Sequence, residues 1–433
     1  MFKKTMVVAG LVLAGWLGNL QAAEPEFFLR DNDRVVFLGD SITEQRLYTT
    51  YVEAYALTRY PAWNFVFRNV GWGGDTAWLR QRAHPDEGTL FAAPEAAQQE
   101  MVKKAVGAGL ERDVLPLKPT VVTIDFGMND HSYQAFREDI FKAYVSSQAE
   151  LARVLKAHGA RVALLTSQPI EEHRPDPDQD VKNQSLRKFS DGLKDVAAKQ
   201  DALFVDQFAP YLAIMMRERA AKADALVGGG DAVHPGPAGH TLMAWAILKG
   251  LGAPALVASA EFDVTRGWWR SKLVEPRQCQ VQNIKYANGA LSFDRLAAAL
   301  PMPVDARAEA ALKLAPILDD LNRDELTIAG LKSGRYDVLI DGAVVATVTA
   351  AELAKGWNLA SVATPETRQA REVLDLVFKK NDLYFDRWRN VQLNAGAPER
   401  LAELDQKIGG LEAQINAARQ PKTHHFEVRW PAK

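Results

Sequence analysis

Apolar runs alternate with helical patterns along the first half of the chain. The apolar runs predict buried strands, at Arg34–Gly39, Phe65–Asn69, Thr120–Phe126, Arg161–Thr166 and Leu203–Asp206. Helical periodicity is found at Arg46–Tyr60, Gln134–Ala157, Asn183–Lys199, Pro210–Leu226 and Pro237–Gly250. This alternation predicts an α/β fold, in which helices cover both faces of a parallel sheet. Right-handed crossovers then bring the polar, glycine-rich ends of three strands to one edge of the sheet.

The pattern changes beyond about Ala255. Cys279–Phe293 is typical of a hairpin turning at Asn288-Gly289, Asp324–Val348 alternates like a second β unit, and Pro365–Asn390 is helical. A heptad-like stripe of apolar residues follows and predicts a helix that packs on the protein's own body rather than a coiled coil: Leu401, Leu404, Ile408, Leu411 and Ile415. We therefore interpret residues 256–433 as a C-terminal extension, β-rich and then helical.

One connection within the α/β part is long. The segment from His84 to Leu117 contains a helical run near Pro94–Val106. We expect this segment to overhang the functional site.

The N-terminus has the pattern of a secretory signal peptide. Lys3 and Lys4 precede the apolar run Met6–Leu17, which is too short to span a membrane, and Ala22-Ala23 follow. We interpret residues 1–23 as a signal peptide cleaved after Ala22 or Ala23, with an uncleaved anchor as the alternative. The expected location is the periplasm or the exterior of the cell.

Net charge and cysteine content limit the classes of partner and site that the sequence supports. The formal net charge of -2 gives no electrostatic reason to expect nucleic acid or an anionic membrane as a partner. Cys279 is the single cysteine, so an internal disulfide is excluded, and no Cys-His spacing suggests zinc. The sequence predicts no stable membrane insertion and leaves the oligomeric state open.

Four short segments carry candidate chemistry, each in a turn: Gly39-Asp40-Ser41, Gly73-Gly74-Asp75-Thr76, Gly127-Met128-Asn129-Asp130 and Asp231-Ala232-Val233-His234. Ser41 offers a hydroxyl nucleophile, which needs a base to remove its proton. His234 is a candidate base, and Asp231 is close enough in the same loop to hold one of its ring nitrogens. The alternative is that Ser41 and Thr43 only cap a helix, with Asp40 as a turn residue.

The other two segments offer hydrogen-bond donors. The Ser41 N–H, the Gly74 N–H and the Asn129 carboxamide could stabilise the negative charge that develops on a carbonyl oxygen under attack. Asp40 and Asp130 are expected to bond to turn backbone, and His240 to be structural. His131 either borders the site or lies at the surface, and Trp72 and Trp78 either pack in the core or form a platform for a ligand.

Taken together and in this order, the four segments resemble those of the SGNH (GDSL-type) hydrolase superfamily, over roughly Arg34 to Leu251. The first segment reads Gly-Asp-Ser-Ile-Thr where the superfamily often has Gly-Asp-Ser-Leu. The resemblance implies a flavodoxin-like three-layer α/β/α sandwich spanning residues 24–255. It also implies a catalytic triad of Ser41, His234 and Asp231, an oxyanion hole of Ser41, Gly74 and Asn129, and no metal or organic cofactor.

The expected activity is that of an exported SGNH-type carboxylic ester hydrolase. The favoured substrate is a short acyl group, most of all acetyl, on a carbohydrate, an expectation that rests on analogy with exported relatives. Rival functions are a lipid esterase, lysophospholipase or thioesterase, and acyl transfer to a sugar instead of water. A glycan-binding protein with a vestigial hydrolase core is the rival from another class.

Overall fold

The computed structural model describes residues 26–172, 176–265 and 272–431. The predicted signal peptide lies outside the described residues. In the three described ranges, no helix is long and apolar enough to cross a membrane.

A five-stranded parallel sheet forms the centre of the N-terminal part. Its strands are β1 (Arg34–Gly39), β2 (Val66–Asn69), β3 (Val121–Asp125), β4 (Arg161–Leu165) and β5 (Leu203–Val205). Their spatial order is β2-β1-β3-β4-β5, which is the flavodoxin-like order. The predicted strands and the predicted fold class are confirmed.

Helices cover both faces of this sheet. They are α1 (Ser41–Glu44), α2 (Leu47–Arg59), α3 (Arg80–Ala83), α4 (Glu87–Ala92), α5 (Glu95–Asp113), α6 (Glu138–Ala157), α7 (Val181–Gln200), α8 (Phe208–Ala221) and α9 (Pro237–Gly250). Successive side chains of a strand point to opposite faces. Accordingly, Val35 and Phe37 of β1 share a core with α2, α8 and α9, whereas Val36 and Leu38 share a second core with α5, α6 and α7.

Helix α5 does not meet the expectation that the 84–117 segment overhangs the site. Its residues Val102, Val106 and Leu110 are buried in the same core as Val36 and Leu38 of the central strand. A surface helix buries its apolar stripe against the nearest apolar face, which here is the sheet. Helix α5 is therefore part of one outer layer of the sandwich.

The extension begins with a β-sandwich. Its strands are β6 (Leu256–Asp263), β7 (Lys272–Leu273), β8 (Cys279–Ala287), β9 (Ala290–Ala297), β10 (Arg323–Ala329), β11 (Arg335–Ile340), β12 (Ala343–Thr349), β13 (Trp357–Asn358) and β14 (Thr423–Arg429). They form two sheets, ordered β13-β10-β6-β7 and β12-β11-β14-β9-β8. Phe262 of the first sheet and Phe293 and Phe426 of the second share one core.

Two predictions for this region can be compared with the strand pairing. The hairpin is confirmed, since β8 and β9 pair in antiparallel fashion around Asn288-Gly289. The predicted second β unit, Asp324–Val348, is divided between the two sheets, because β10 pairs with β6 and β13 whereas β11 pairs with β12 and β14.

Helices of the extension pack back onto the α/β part. The extension contains α10 (Ala311–Leu314), α11 (Ile317–Leu321), α12 (Ala350–Lys355), α13 (Pro365–Phe385) and α14 (Pro398–Ala418), and α13 continues into a π-helical turn at Asp386–Val391. Helix α13 lies against α2 and α14. Leu404, Ile408 and Ile415 of the heptad-like stripe are buried, which confirms that α14 packs on the protein's own body. The domain boundary after residue 255 stays a prediction.

Candidate active site

Ser41 is the first residue of α1, and Asp40 alone separates it from the end of β1. The N-cap of this short helix is Asp40, whose Oδ1 accepts the Ile42 N–H at 2.9 Å. The cap position is thus filled by the aspartate, and the half-buried Ser41 hydroxyl is available for another partner. The interpretation in which Ser41 only caps the helix is wrong.

That partner is His234. Ser41 Oγ lies 3.0 Å from His234 Nε2, and His234 Nδ1 lies 3.1 Å from Asp231 Oδ2. The two nitrogens of one imidazole therefore join a hydroxyl and a carboxylate in a continuous hydrogen-bonded chain. The structure brings these three predicted residues together from the two ends of the α/β part.

The Asp231 carboxylate also holds its own loop. Its Oδ1 accepts the N–H groups of His234 at 2.7 Å and of Val233 at 2.8 Å. These bonds lower the pKa of Asp231, and the bond from the His234 N–H contributes most. The carboxylate therefore stays ionised opposite the imidazole.

Glycines allow this loop to fold tightly. The Gly228 carbonyl accepts N–H groups from Gly236 and Gly239, each at 3.0 Å. A Cβ atom on Gly230 would lie 2.0 Å from the His234 carbonyl oxygen, so no larger residue fits there. The glycine run thus fixes the backbone that carries Asp231 and His234.

The loop after β2, which contains Gly74, runs beside α1. The Trp72 N–H donates to the Gly39 carbonyl at 3.0 Å, and the Gly73 N–H donates to Glu44 Oε2 at 3.0 Å. Gly74 has a backbone φ of +75°, a conformation that residues other than glycine rarely adopt.

Asn129 ties the loop after β3 to the Gly74 loop. Its Nδ2 donates to the carbonyl of Asp75 at 3.0 Å, and its Oδ1 accepts the Tyr133 hydroxyl at 2.8 Å. Since Tyr133 occupies the carbonyl side of the amide, the NH₂ group is held toward the Gly74 loop. Ser132 and Tyr133 both have left-handed backbone, with φ of 55° and 54°. Backbone strain of this kind concentrates at functional sites.

Buried carboxyl groups accept hydrogen bonds from the backbone N–H groups of these turns. Asp130 accepts the Gly127 N–H at 2.9 Å and the Ala77 N–H at 2.8 Å, so Asp40 and Asp130 both bond turn backbone as predicted. Burial raises the pKa of Asp130 to about 7 and that of Asp125, at the end of β3, to about 7. Burial, together with the nearby Asp125 charge, also raises the pKa of Asp40.

Two further histidines of the α/β part, His131 and His240, have structural partners. His131 is buried, with Nδ1 3.1 Å from the Gly127 carbonyl, so the prediction that it lies at the surface is wrong, whereas its position at the border of the site stays a prediction. Burial lowers its pKa to about 4. His240 bonds Gln45 and the Tyr48 N–H, as expected of a structural residue.

The two tryptophans pack rather than face the site. Trp78 is buried and donates to Glu87 at 2.8 Å, and Trp72 packs edge to face against Trp388 of the extension. Among the described residues, no group of three or more His, Cys, Asp or Glu side chains is arranged to hold a metal ion.

An open cleft of about 480 Å³ adjoins the hydrogen-bonded chain. Besides Ser41, Asp231 and His234, it is lined by Glu44, Gln45, Arg46 and Phe385. Phe385 is the last residue of α13, so the extension forms one wall of the cleft.

The sequence analysis did not identify Arg46 and Phe385, which line the cleft, or Tyr133, which bonds Asn129. Tyr133 could have been noticed because it lies four residues after Asn129 in the same loop. Phe385 gives no local signal, because it approaches Ser41 only through the packing of α13.

The chain is similar to known ester hydrolases. Residues 37–242 match the sequence profile of the GDSL-like Lipase/Acylhydrolase family. An acetylxylan esterase from Geobacillus stearothermophilus is 23% identical over 226 residues, which make up 51% of this chain and 94% of the esterase.

One solved structure extends the comparison to most of the chain. A gut microbial diltiazem-metabolizing enzyme superposes with a TM-score of 0.76 at 25% identity, covering 93% of this chain and 98% of its own. The crystal structure of the Geobacillus acetylxylan esterase has a TM-score of 0.40 at 23% identity and covers 51% of this chain and 95% of its own. The family match over residues 37–242, the acetylxylan esterase sequence and the superposition on the diltiazem-metabolizing enzyme agree with the flavodoxin-like strand order and the four sequence segments. Together they identify the α/β part of the chain as a hydrolase domain of the SGNH (GDSL-type) superfamily and the protein as an ester hydrolase of that type.

Proposed function

We propose that this protein is an exported serine esterase that removes short acyl groups, above all acetyl, from carbohydrate. The observation that carries the proposal is the chain of contacts from Ser41 Oγ to His234 Nε2, at 3.0 Å, and from His234 Nδ1 to Asp231 Oδ2, at 3.1 Å. The similarity to an acetylxylan esterase supports the acyl and sugar parts of the proposal. The pattern of residues 1–23 supports export.

Each residue has a defined role in this proposal. His234 removes the proton of Ser41 as the hydroxyl attacks the ester carbonyl, and Asp231 holds the imidazole in the required tautomer. The Ser41 N–H, the Gly74 N–H and the Asn129 amide donate to the oxygen that becomes negatively charged. The protonated His234 then gives its proton to the leaving alcohol, and water hydrolyses the acyl-enzyme by the same steps.

Hydrolysis of p-nitrophenyl acetate and p-nitrophenyl octanoate tests the proposal. We expect the parent protein to prefer the acetate ester and Ser41→Ala to abolish turnover of both esters. Ser190→Ala is the matched control, since its hydroxyl bonds the Leu186 carbonyl within α7. Serine-independent turnover contradicts the nucleophile, and a preference for octanoate favours a lipid esterase instead.

Export is tested separately. Mass spectrometry of the protein recovered outside the cytoplasm should show a chain beginning at Ala23 or Glu24. A chain that keeps Met1 and stays in the cytoplasm contradicts export and leaves the esterase proposal untouched.

A further inference from the structure

The cleft lies on one side of the proposed nucleophile. Its described lining includes Ser41 and His234 but neither Gly74 nor Asn129. In ester hydrolysis the carbonyl oxygen turns toward the oxyanion donors, whereas the leaving oxygen must reach the proton on His234 Nε2. The alcohol part of the ester therefore belongs in the cleft, between His234 and the wall formed by Arg46 and Phe385.

Arg46 and Phe385 form a stacked pair in that wall. The guanidinium carbon of Arg46 lies 4.3 Å from the centroid of the Phe385 ring. Arg46 Nη1 donates to the Glu44 carbonyl at 2.7 Å, and its Nε donates to Asp382 Oδ1 at 3.2 Å. The guanidinium is thereby held by α1 on one side and by α13 on the other.

The backbone of Arg46 shows that this placement has an energetic cost. Arg46 has φ of 61°, a left-handed conformation that costs about 1–2 kcal/mol for a residue with a side chain. Such strain persists only where surrounding contacts hold it, and it concentrates at binding and catalytic sites. The side chain of Arg46, on this left-handed backbone, lies over the ring of Phe385.

The chemistry of the cleft fits a polyhydroxylated ring. Phe385 is the only apolar residue in the described lining, which otherwise consists of Ser41, Glu44, Gln45, Arg46, Asp231 and His234. An aromatic ring attracts the polarised C–H groups of a sugar face, and guanidinium, amide and carboxylate groups match hydroxyl groups at its edge. A long alkyl alcohol would displace water from these polar groups without offering them hydrogen bonds in its place.

We propose that the Arg46–Phe385 pair is the binding site for the alcohol part of the ester, that this part is a sugar ring, and that the C-terminal extension thereby determines substrate specificity. The inference rests on the proposed function, because it takes Ser41 and His234 as the reacting groups. Phe385 and Arg46 act as specificity-determining residues.

Kinetics with two acetate esters test the pair. The substrates are methyl tri-O-acetyl-β-xylopyranoside and ethyl acetate, which share the acyl group and differ in the alcohol. We expect Phe385→Ala to lower the ratio of kcat/KM for the xyloside to kcat/KM for ethyl acetate about tenfold, mainly through KM. Arg46→Gln is expected to lower the same ratio, and Phe385→Leu tests the ring itself, since leucine keeps an apolar side chain at this position.

Phe378→Leu is the matched control. Phe378 lies two turns earlier on α13 and packs against Tyr51, away from the cleft. A ratio in Phe385→Ala and Arg46→Gln that stays within about twofold of the Phe378→Leu value overturns the inference.

Binding separates this inference from the proposed function. The acetylated xyloside is titrated into Ser41→Ala and into the double variant Ser41→Ala/Phe385→Ala. Loss of binding in the double variant alone supports the sugar site even if the parent hydrolyses no ester. Equal binding by both variants, or no binding by either, overturns the sugar site even if hydrolysis depends on Ser41.

Discussion

At the scale of single residues, Asp40 and Ser41 have different roles although they are neighbours at the end of β1. Asp40 caps α1 through the Ile42 N–H, and Ser41 faces His234. Both residue types cap helices equally well, so the sequence could not assign the cap. The assignment depends on the approach of His234, 193 positions away along the chain.

Asn129 and Tyr133 supply the first residue-scale prediction. In the proposed mechanism the Asn129 amide donates mainly in the transition state, so kcat of Asn129→Ala should fall by about 10²–10³ with a smaller change in KM. Tyr133→Phe removes only the bond that orients the Asn129 amide, and we expect a smaller loss of kcat. Steady-state kinetics on p-nitrophenyl acetate measure both effects.

The control for Tyr133 is Tyr286→Phe, on strand β8 of the extension. An unchanged kcat in Asn129→Ala would remove Asn129 from the oxyanion hole. A fall in Tyr133→Phe that equals that of Tyr286→Phe would show that Tyr133 does not orient the amide.

Asp125 makes stability depend on pH. It is buried at the end of β3, where both carboxylate oxygens lie 3.2 Å from Gln207 Nε2 and where burial raises its pKa to about 7. The unfolded chain releases this proton near pH 4, so between about pH 4 and pH 7 the folded state binds more protons. The contribution of Asp125 to the free energy of unfolding therefore falls as pH rises through this window.

Asp125→Asn removes this titration. We expect the stability of the variant relative to the parent to be higher at pH 8 than at pH 5, by at least about 1 kcal/mol, since one pKa unit corresponds to about 1.4 kcal/mol. Urea unfolding of both proteins at the two pH values measures the difference. Asp130 titrates in both proteins, so its contribution cancels, and a pH-independent difference contradicts the prediction.

At the scale of elements, α13 is fastened to α2 by a buried polar cluster. Lys380 Nζ lies 2.5 Å from Glu53 Oε1, and Asn381 Nδ2 donates to Glu53 Oε2 at 3.0 Å and to Thr50 Oγ1 at 2.9 Å. Burial lowers the pKa of Lys380, although the Glu53 charge opposes this shift. The cluster sets the position of α13 and hence of Phe385 at its end.

Glu53→Gln should leave Lys380 buried without a counter-charge. Removing one partner of a buried ion pair typically costs about 3–5 kcal/mol, whereas replacing both by apolar residues costs much less. We therefore expect a large loss of unfolding free energy in Glu53→Gln and a partial recovery in Glu53→Leu/Lys380→Met. Glu403→Gln, which breaks an exposed pair on α14, should change stability little, and an equal effect of both single variants contradicts the argument.

At the scale of the whole molecule, one arginine joins three parts of the extension. Arg295 of β9 bonds Asp324 of β10 at 2.7 Å and Glu366 of α13 at 3.0 Å, and all three side chains are buried. The two sheets of the β-sandwich and the helix that carries Phe385 therefore meet at a single guanidinium. The wall of the cleft is connected to the sandwich through this contact.

Arg295→Met should destabilise the full chain by about 3 kcal/mol or more, because it leaves two buried carboxyl groups without a counter-charge. Arg295→Lys keeps the charge but loses the paired geometry of the guanidinium, and we expect an intermediate loss. Thermal unfolding of the full chain checks the order parent, Lys, Met. A Met variant as stable as the parent would show that the three parts are held together by apolar packing alone.

The sequence by itself determined the fold class, the order of strands and helices in the α/β part and the residues of the four segments. These features are local: a buried strand needs an apolar run, a helix needs its periodicity, and a nucleophile with its base needs particular residue types. The hairpin around Asn288-Gly289 and the burial of the α14 stripe were predictable for the same reason.

Only the tertiary structure decided which residues meet. It buried His131, placed α5 in a layer of the sandwich, divided the predicted β unit between two sheets and brought Phe385 beside Arg46. Each of these outcomes depends on how elements distant in sequence pack against one another. Local periodicity shows that an element has an apolar face to bury, but the element that covers this face is decided by the shape and charge of the assembled molecule.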